Sequence, residues 1–242
     1  MANTVHIPEP LRPIEKKWHK TWWGVSGIVL MLLILVGGVL FGLHIKDAYQ
    51  QIQTKAHQLS DPTTLIAQFR TPGPYADEAI VNRPTLGSTA PKVTIVEFFD
   101  FNCPHCKNSF PTIREIMSRH EDTVKLVMRH YPVIADSSLN LALAGQCAEE
   151  QGLFWNLHDR FFQSSAPAEN IPEIARQSGL NLTQFNTCLQ SQKYLSLIKQ
   201  DVAAAKAMGV RGTPTWLING HFISGEIPRN AFVQIIDALT KS

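Results

Sequence analysis

Val93-Thr94-Ile95-Val96-Glu97-Phe98-Phe99 runs directly into Asp100-Phe101-Asn102-Cys103-Pro104-His105-Cys106, and this stretch decides the fold. The β-branched and aromatic run has the length and composition of a buried central strand. From Cys103 a helical pattern continues to about His120, with Phe110, Ile113, Ile116 and Met117 on one side and Pro111 able to kink it. Thr123 to Tyr131 then reads as a second strand. A Cys-x-x-Cys at a strand-to-helix junction sets its first sulfur near free helical N–H groups, where the dipole stabilises a thiolate. Cys103 is therefore the expected nucleophile. Cys106, one turn later, is the expected resolving thiol, able to attack a mixed disulfide formed on Cys103.

His105, between the two cysteines, can donate a hydrogen bond or positive charge toward the Cys103 sulfur. That would lower the thiol's pKa, stabilise the dithiol and make the disulfide a stronger oxidant. Read as half of a metal site, the pair falls short. Zinc needs about four ligands, and no second Cys-x-x-Cys or matching His pair exists, so no metal is assigned. Glu97 interrupts an otherwise apolar strand. Buried there, its carboxyl would have a raised pKa and could relay protons to or from Cys106; it also reads as a strand-end glutamate facing solvent.

Downstream, the pattern from Ser137 to Gly209 is nearly all helical. Leu141, Ala144, Cys147 and Ala148 share one face, Phe154, Trp155, Leu157 and Phe161 continue it as core, and shorter helices follow at Ile171 to Gln177 and Thr183 to Met208. Thr215 to Asn219 and His221 to Ser224 flank Asn219-Gly220, a strong hairpin signal, and Arg229 to Leu239 closes the chain as a helix. A cis bond at Thr213-Pro214 would expose the Thr213 backbone to an extended substrate, but taken alone this dipeptide reads as a trans proline opening a strand.

Upstream, no charged side chain occurs from Thr21 to Leu43. At ~1.5 Å per helical residue this stretch reaches about 34 Å, enough for a hydrocarbon layer of ~30 Å. It is longer than a signal peptide's apolar region and lacks a cleavage site, so a permanent single-pass anchor is expected. Arg12, Lys16, Lys17 and Lys20 precede it, against Lys46 and Lys55 after it, which puts the amino terminus in the cytoplasm and everything from His44 outside. Trp18, Trp22 and Trp23 suit the headgroup level of the cytoplasmic leaflet. The expected organisation is a cytoplasmic tail (1–20), a transmembrane helix (21–43), a stalk and linker (44–90) and a catalytic domain (91–242) with a helical insertion at about 137–209. Within the linker, Asp47 to Ser60 reads as a short amphipathic helix stopped by Ser60-Asp61-Pro62, and Ala79 to Val81 as one edge strand. The near balance of 22 Lys and Arg with 20 Asp and Glu gives no field suited to nucleic acid. Outside the cytosol, four cysteines can form two disulfides.

Together, Phe98 to Cys106, Pro111, the helical insertion and Gly212-Thr213-Pro214 resemble the DsbA-like branch of the thioredoxin superfamily, over about Pro91 to Lys241. The resemblance implies an α/β, thioredoxin-like fold with a helical insertion, here preceded by the single transmembrane helix, and the activity of a protein thiol:disulfide oxidoreductase. It implies that Cys103 and Cys106 are the redox centre, that Glu97 assists proton transfer, and that a cis Pro214 faces the disulfide with Thr213 meeting the substrate. It implies a structural disulfide between Cys147 and Cys188, with two buried free thiols as the alternative. No organic cofactor is required. The implied partners are reduced exported proteins and a quinone-linked membrane reoxidase, at the cell (inner) membrane with the catalytic domain periplasmic or extracytoplasmic. Thr213 departs from the valine common in this branch and looks more like the disulfide isomerases. An isomerase or reductase kept reduced by a transmembrane electron donor is the alternative, and a metal chaperone or noncatalytic assembly factor a more distant one.

Overall fold

The computed structural model of the chain describes residues 22–60, 62–75 and 83–241. The cytoplasmic tail expected at 1–20 and the edge strand expected at Ala79 to Val81 lie outside the described residues. The chain divides into two compact units, Met1–Gln58 and Leu59–Ser242.

In the first unit, one helix, α1 (Trp22–Ser60, 39 residues), runs through both the expected transmembrane segment and the expected stalk. No proline interrupts it, and it ends at Ser60 where Ser60-Asp61-Pro62 signals a stop. Its segment Val25–Gln50 (26 residues) is long and apolar enough to cross a membrane, with apolar side chains exposed along its length.

The second unit is built on a five-stranded sheet. β1 (Thr85–Gly87), β2 (Val93–Phe99), β3 (Val124–His130), β4 (Thr215–Ile218) and β5 (His221–Ser224) lie in the order β1-β3-β2-β4-β5. β2 and β3 are parallel, joined through helix α3 (Pro104–Arg119), and the other neighbours are antiparallel. β2 is therefore central, and all but one of its residues are buried, as its β-branched and aromatic composition requires.

Alternation along β2 feeds two cores. Ile95 and Phe99 pack with Ile113, Ile116 and Met117 of α3 and with Phe232, Ile235 and Ile236 of the last helix, α9 (Arg229–Thr240). Val96 and Phe98 point the other way, toward Ala205 and Met208. Ala205 lies on α8 (Leu195–Ala207), whose buried Asp201 accepts from Arg83 Nε (2.7 Å), Arg129 Nε (2.9 Å) and the His130 backbone N–H (3.0 Å). One carboxylate thus clamps α8 to β3 and to the segment leading into β1.

The insertion between β3 and β4 comprises α4 (Ser138–Glu149), α5 (Phe154–Gln163), α6 (Ile171–Gln177), α7 (Leu182–Gln190) and α8. The single helix expected from Thr183 to Met208 is two helices. The chain breaks between α7 and α8, where Gln192 takes a left-handed conformation (φ 51°), and no glycine or proline marks that break in the sequence.

The stretch 44–90 is a second correction, since most of it after Ser60 is not a linker. Helix α2 (Pro62–Phe69) packs on α9 and buries Leu65 and Phe69 in the main core, and β1 pairs with β3 at the sheet edge. Between them the Gly73 and Tyr75 N–H groups donate to the carbonyls of Asn219 and Gly220, in the turn between β4 and β5. Gly73 is required there, because a Cβ would meet the Gly220 carbonyl carbon at 2.4 Å. Asn219 completes the seam. Its Nδ2 donates to the Phe69 carbonyl and its Oδ1 accepts from the Thr94 N–H, both at 2.9 Å.

Candidate active site: a dithiol where the central strand meets a helix

The sheet delivers Cys103 to the end of β2 through a loop fixed by Asp100 and Asn102. Asp100, itself buried, accepts from the Asn102 N–H through Oδ1 (2.9 Å) and from the Val133 and Ile134 N–H groups through Oδ2 (2.8 and 2.9 Å). The Asn102 Nδ2 donates to the hydroxyls of Ser137 and Ser138, at 3.0 Å each. The loop after β2 is thereby tied to the loop after β3 and to the start of α4. Sequence reasoning passed over both residues, although Asp and Asn flanking a tight turn are the signal for such local bonds.

Cys103 is the residue capping the amino end of α3, with extended backbone (φ −77°, ψ 119°) and Pro104 next in the helix. Its side chain and that of Cys106 are buried, and both sulfurs are free. The Cys103 thiol is drawn down from 9.0 to about 5, chiefly by a hydrogen bond from the Cys106 thiol; burial opposes this, and Thr213 and the N–H groups of Cys106 and His105 assist it. The Thr213 hydroxyl is buried and makes no hydrogen bond among the described residues. Cys106 moves the opposite way. Burial pushes its thiol strongly up, with the Cys103 sulfur and Glu97 adding to the rise. Glu97 is buried in mid-strand and its carboxyl is raised well above the ordinary range, first by burial and then by Cys103. At neutral pH the arrangement favours a Cys103 thiolate beside a protonated Cys106, with the Glu97 carboxyl pushed toward its neutral form by burial.

Across the sulfurs lies the segment before β4. The Cys103 Sγ, when protonated, donates to the Thr213 carbonyl oxygen at 3.1 Å, and the Thr213-Pro214 bond is cis. Cys103, Cys106, Glu97, Thr213 and Pro214 therefore converge. His105 joins them differently from the sequence expectation. Its side chain is 63% exposed, and Nδ1 lies 3.0 Å from Glu226 Oε2, so the ring bonds a carboxylate rather than the Cys103 sulfur. That carboxylate raises the His105 pKa, with the Cys103 charge a smaller cause. Glu226 lies 121 residues further along the chain, and no local pattern announces it.

Cys147 of α4 and Cys188 of α7 form a disulfide remote from this dithiol in sequence, closing a span of 41 residues. Beneath the dithiol loop, Phe99 and Phe101 pack on His130 and His158. Burial lowers the pKa of both histidines, and His130 falls to about 3. Among the described residues no group of three or more His, Cys, Asp or Glu is placed to hold a metal ion.

The family model for thioredoxin matches residues 80–238. A segment of a Na+/H+ antiporter NhaA from Salinispora tropica is 35% identical over 132 residues, which is 53% of this chain and 20% of the antiporter. A Rickettsia conorii protein provisionally named a protein-disulfide oxidoreductase is 29% identical over 150 residues, covering 57% of this chain and 54% of that one. The crystal structure of a thioredoxin-like oxidoreductase from Silicibacter pomeroyi superposes with a TM-score of 0.61 at 28% identity, covering 67% of this chain and 94% of that one. The chain spans only about a fifth to a quarter of the length of the antiporters it matches.

Proposed function

The chain belongs to the thioredoxin family, and from that premise we propose that it is a membrane-anchored thiol:disulfide oxidoreductase that introduces disulfides into exported proteins. The observation that carries this reading is the opposed protonation of the two thiols. Cys103 is drawn down to about 5 while burial drives Cys106 up. A stabilised Cys103 thiolate favours the dithiol form, which makes the disulfide form an oxidant.

In the proposed cycle a substrate thiolate attacks the Cys103 sulfur of the Cys103–Cys106 disulfide. The S–S bond breaks, Cys106 leaves as thiolate, and the buried Glu97 supplies the proton that neutralises it. A second substrate thiolate attacks the substrate sulfur of the mixed disulfide and expels Cys103 as the stabilised thiolate. The substrate loses two electrons and the dithiol gains them. Thr213 and cis Pro214 border the sulfur, and the Thr213 backbone is available to an extended chain. Cys147 and Cys188 serve stability rather than exchange.

The α1 span supports tethering at the cell membrane with the amino terminus inside and the thioredoxin unit outside. Reoxidation then falls to a quinone-linked membrane protein, which the tether keeps close. The match to a segment of far larger antiporters is consistent with a domain that works beside membrane proteins. Thr213 before the cis proline, which resembles the disulfide isomerases of the wider superfamily, favours a second reading, a reductase or isomerase held reduced by a membrane donor.

The reduction potential of the Cys103–Cys106 pair, measured on the full chain in detergent against glutathione buffers, separates the two. A potential well above the thioredoxin value of about −270 mV is expected. A value at or below it would overturn the oxidase reading in favour of the reductase.

A further inference from the structure

Glu226 lies outside every residue so far given a part in exchange, yet its side chain meets the helix that carries the dithiol and its neighbour Gly225 is bonded to Pro214. It follows Gly225, whose N–H donates to the Pro214 carbonyl at 2.8 Å and whose carbonyl accepts from Trp216 Nε1 at 3.0 Å. Gly225 turns there at φ 90°, which tips the next residue away from the sheet. The Glu226 carboxylate reaches the first turns of α3, where Oε2 accepts from His105 Nδ1 at 3.0 Å and from Asn108 Nδ2 at 3.4 Å.

We propose that Glu226 is a positioning residue for disulfide exchange, holding the His105 ring through its Nδ1 at the amino end of α3 and favouring the charged form of that ring, so that the oxidising strength of the pair holds toward neutral pH. This deepens the proposed function and rests on it. The charged groups facing His105 are Glu226, from the loop between β5 and α9, and Cys103; Lys107, on the same helix, turns aside to donate to the Ser164 carbonyl at 2.7 Å. Glu226 raises the His105 pKa, and His105 in return lowers that of Glu226.

The sign follows from the two charges. While His105 is protonated, its positive charge favours the thiolate with which it interacts, and the Glu226 carboxylate opposes it. Removing the Glu226 charge returns His105 toward its ordinary value of about 6.5. Above that pH the variant loses the imidazolium and the thiolate loses support. Below it the imidazolium remains and the opposing carboxylate is gone. A residue that served only to hold the loop would shift the equilibrium alike at both pH values.

The test compares the full chain in detergent with E226Q, H105A and the double variant, each equilibrated with glutathione buffers at pH 5.5 and 7.5. At pH 7.5 E226Q should oxidise glutathione with an equilibrium constant about threefold lower than the parent, the scale of one exposed ion pair. At pH 5.5 it should match or exceed the parent, and in the H105A background E226Q should change nothing at either pH. An equal shift at both pH values, no shift at either, or the same shift without His105 would overturn the role. The His105 ring titration, followed by NMR, must also show a lower midpoint in E226Q; coincident midpoints overturn the proposal even if no exchange occurs. A parent that exchanges no disulfide with glutathione defeats the proposed function itself, whereas an active parent with an indifferent E226Q defeats only this inference.

Discussion

The two active-site sulfurs differ by three positions in sequence and by opposite directions of proton affinity. The lowered Cys103 thiol was legible in advance, because its place before the helix is a local property of Phe99 to Cys106, whereas the rise at Cys106 comes from burial that only the folded core supplies. The environment of His105 was not, since its partner comes from a loop on the far side of the chain and only the folded sheet brings it near. A pH dependence follows from Cys103. Its folded-state pKa of about 5 lies below the ordinary thiol value of about 8.5. A depressed pKa contributes stability to the dithiol form that is fully present above about pH 8.5 and is lost as pH falls through about 5. The disulfide form lacks this titration. Unfolding of reduced and oxidised protein in urea between pH 4.5 and 8.5 should therefore show the reduced form gaining relative stability as pH rises, with the thiolate absorbance of Cys103 titrating near pH 5. A midpoint above about 8 would show that the burial of the sulfur outweighs the hydrogen bonds around it.

Among the elements, β2, α3, β3 and the closing hairpin could be read from periodicity because each is long and one-sided or bounded by a turn signal. β1 could not. It is three residues, Thr85–Gly87, with no room for alternation, and it exists because β3 offers an edge. The break between α7 and α8 was equally hidden, because its left-handed residue is Gln192 rather than glycine. The Cys147–Cys188 bond ties α4 to α7 on the two sides of the α5–α6 segment. Replacing both cysteines by serine should lower unfolding stability by roughly 2–4 kcal/mol, the entropy of a loop of this length in the unfolded chain, while leaving the Cys103–Cys106 potential unchanged. Chemical denaturation and a redox titration of the same variant measure the two effects separately. A shifted potential would mean that α4 transmits strain to the dithiol loop through Ser137 and Ser138.

For the molecule as a whole, the sequence marks a long apolar helix and a thioredoxin-like fold, and the structure begins the folded unit earlier, near Leu59, than the expected start at residue 91. Composition alone makes residues 62–90, rich in proline and glycine, look like a spacer. Their contribution is tertiary: Leu65 and Phe69 fill the core, and Arg83 meets the buried Asp201. A chain begun at Pro91 should lose more than about 5 kcal/mol, the cost of emptying one large aromatic site and stripping a buried carboxylate of a partner. Thermal unfolding should show a cooperative transition for residues 59–242 and a weakened or absent one for 91–242; equal melting would mean that the segment only decorates the surface. The seam at Asn219 has a mechanical consequence as well. Tension drawn along the chain from α1 is received by α2 and by the clasp of Phe69, Thr71, Gly73 and Tyr75 on Asn219, Gly220 and His221. That clasp grips the hairpin tip and the beginning of β2, while Cys103 follows the other end of the same strand. A pull arriving along the chain at residue 62 is thus grounded at one pole of the sheet, and the sulfurs work at the unloaded pole.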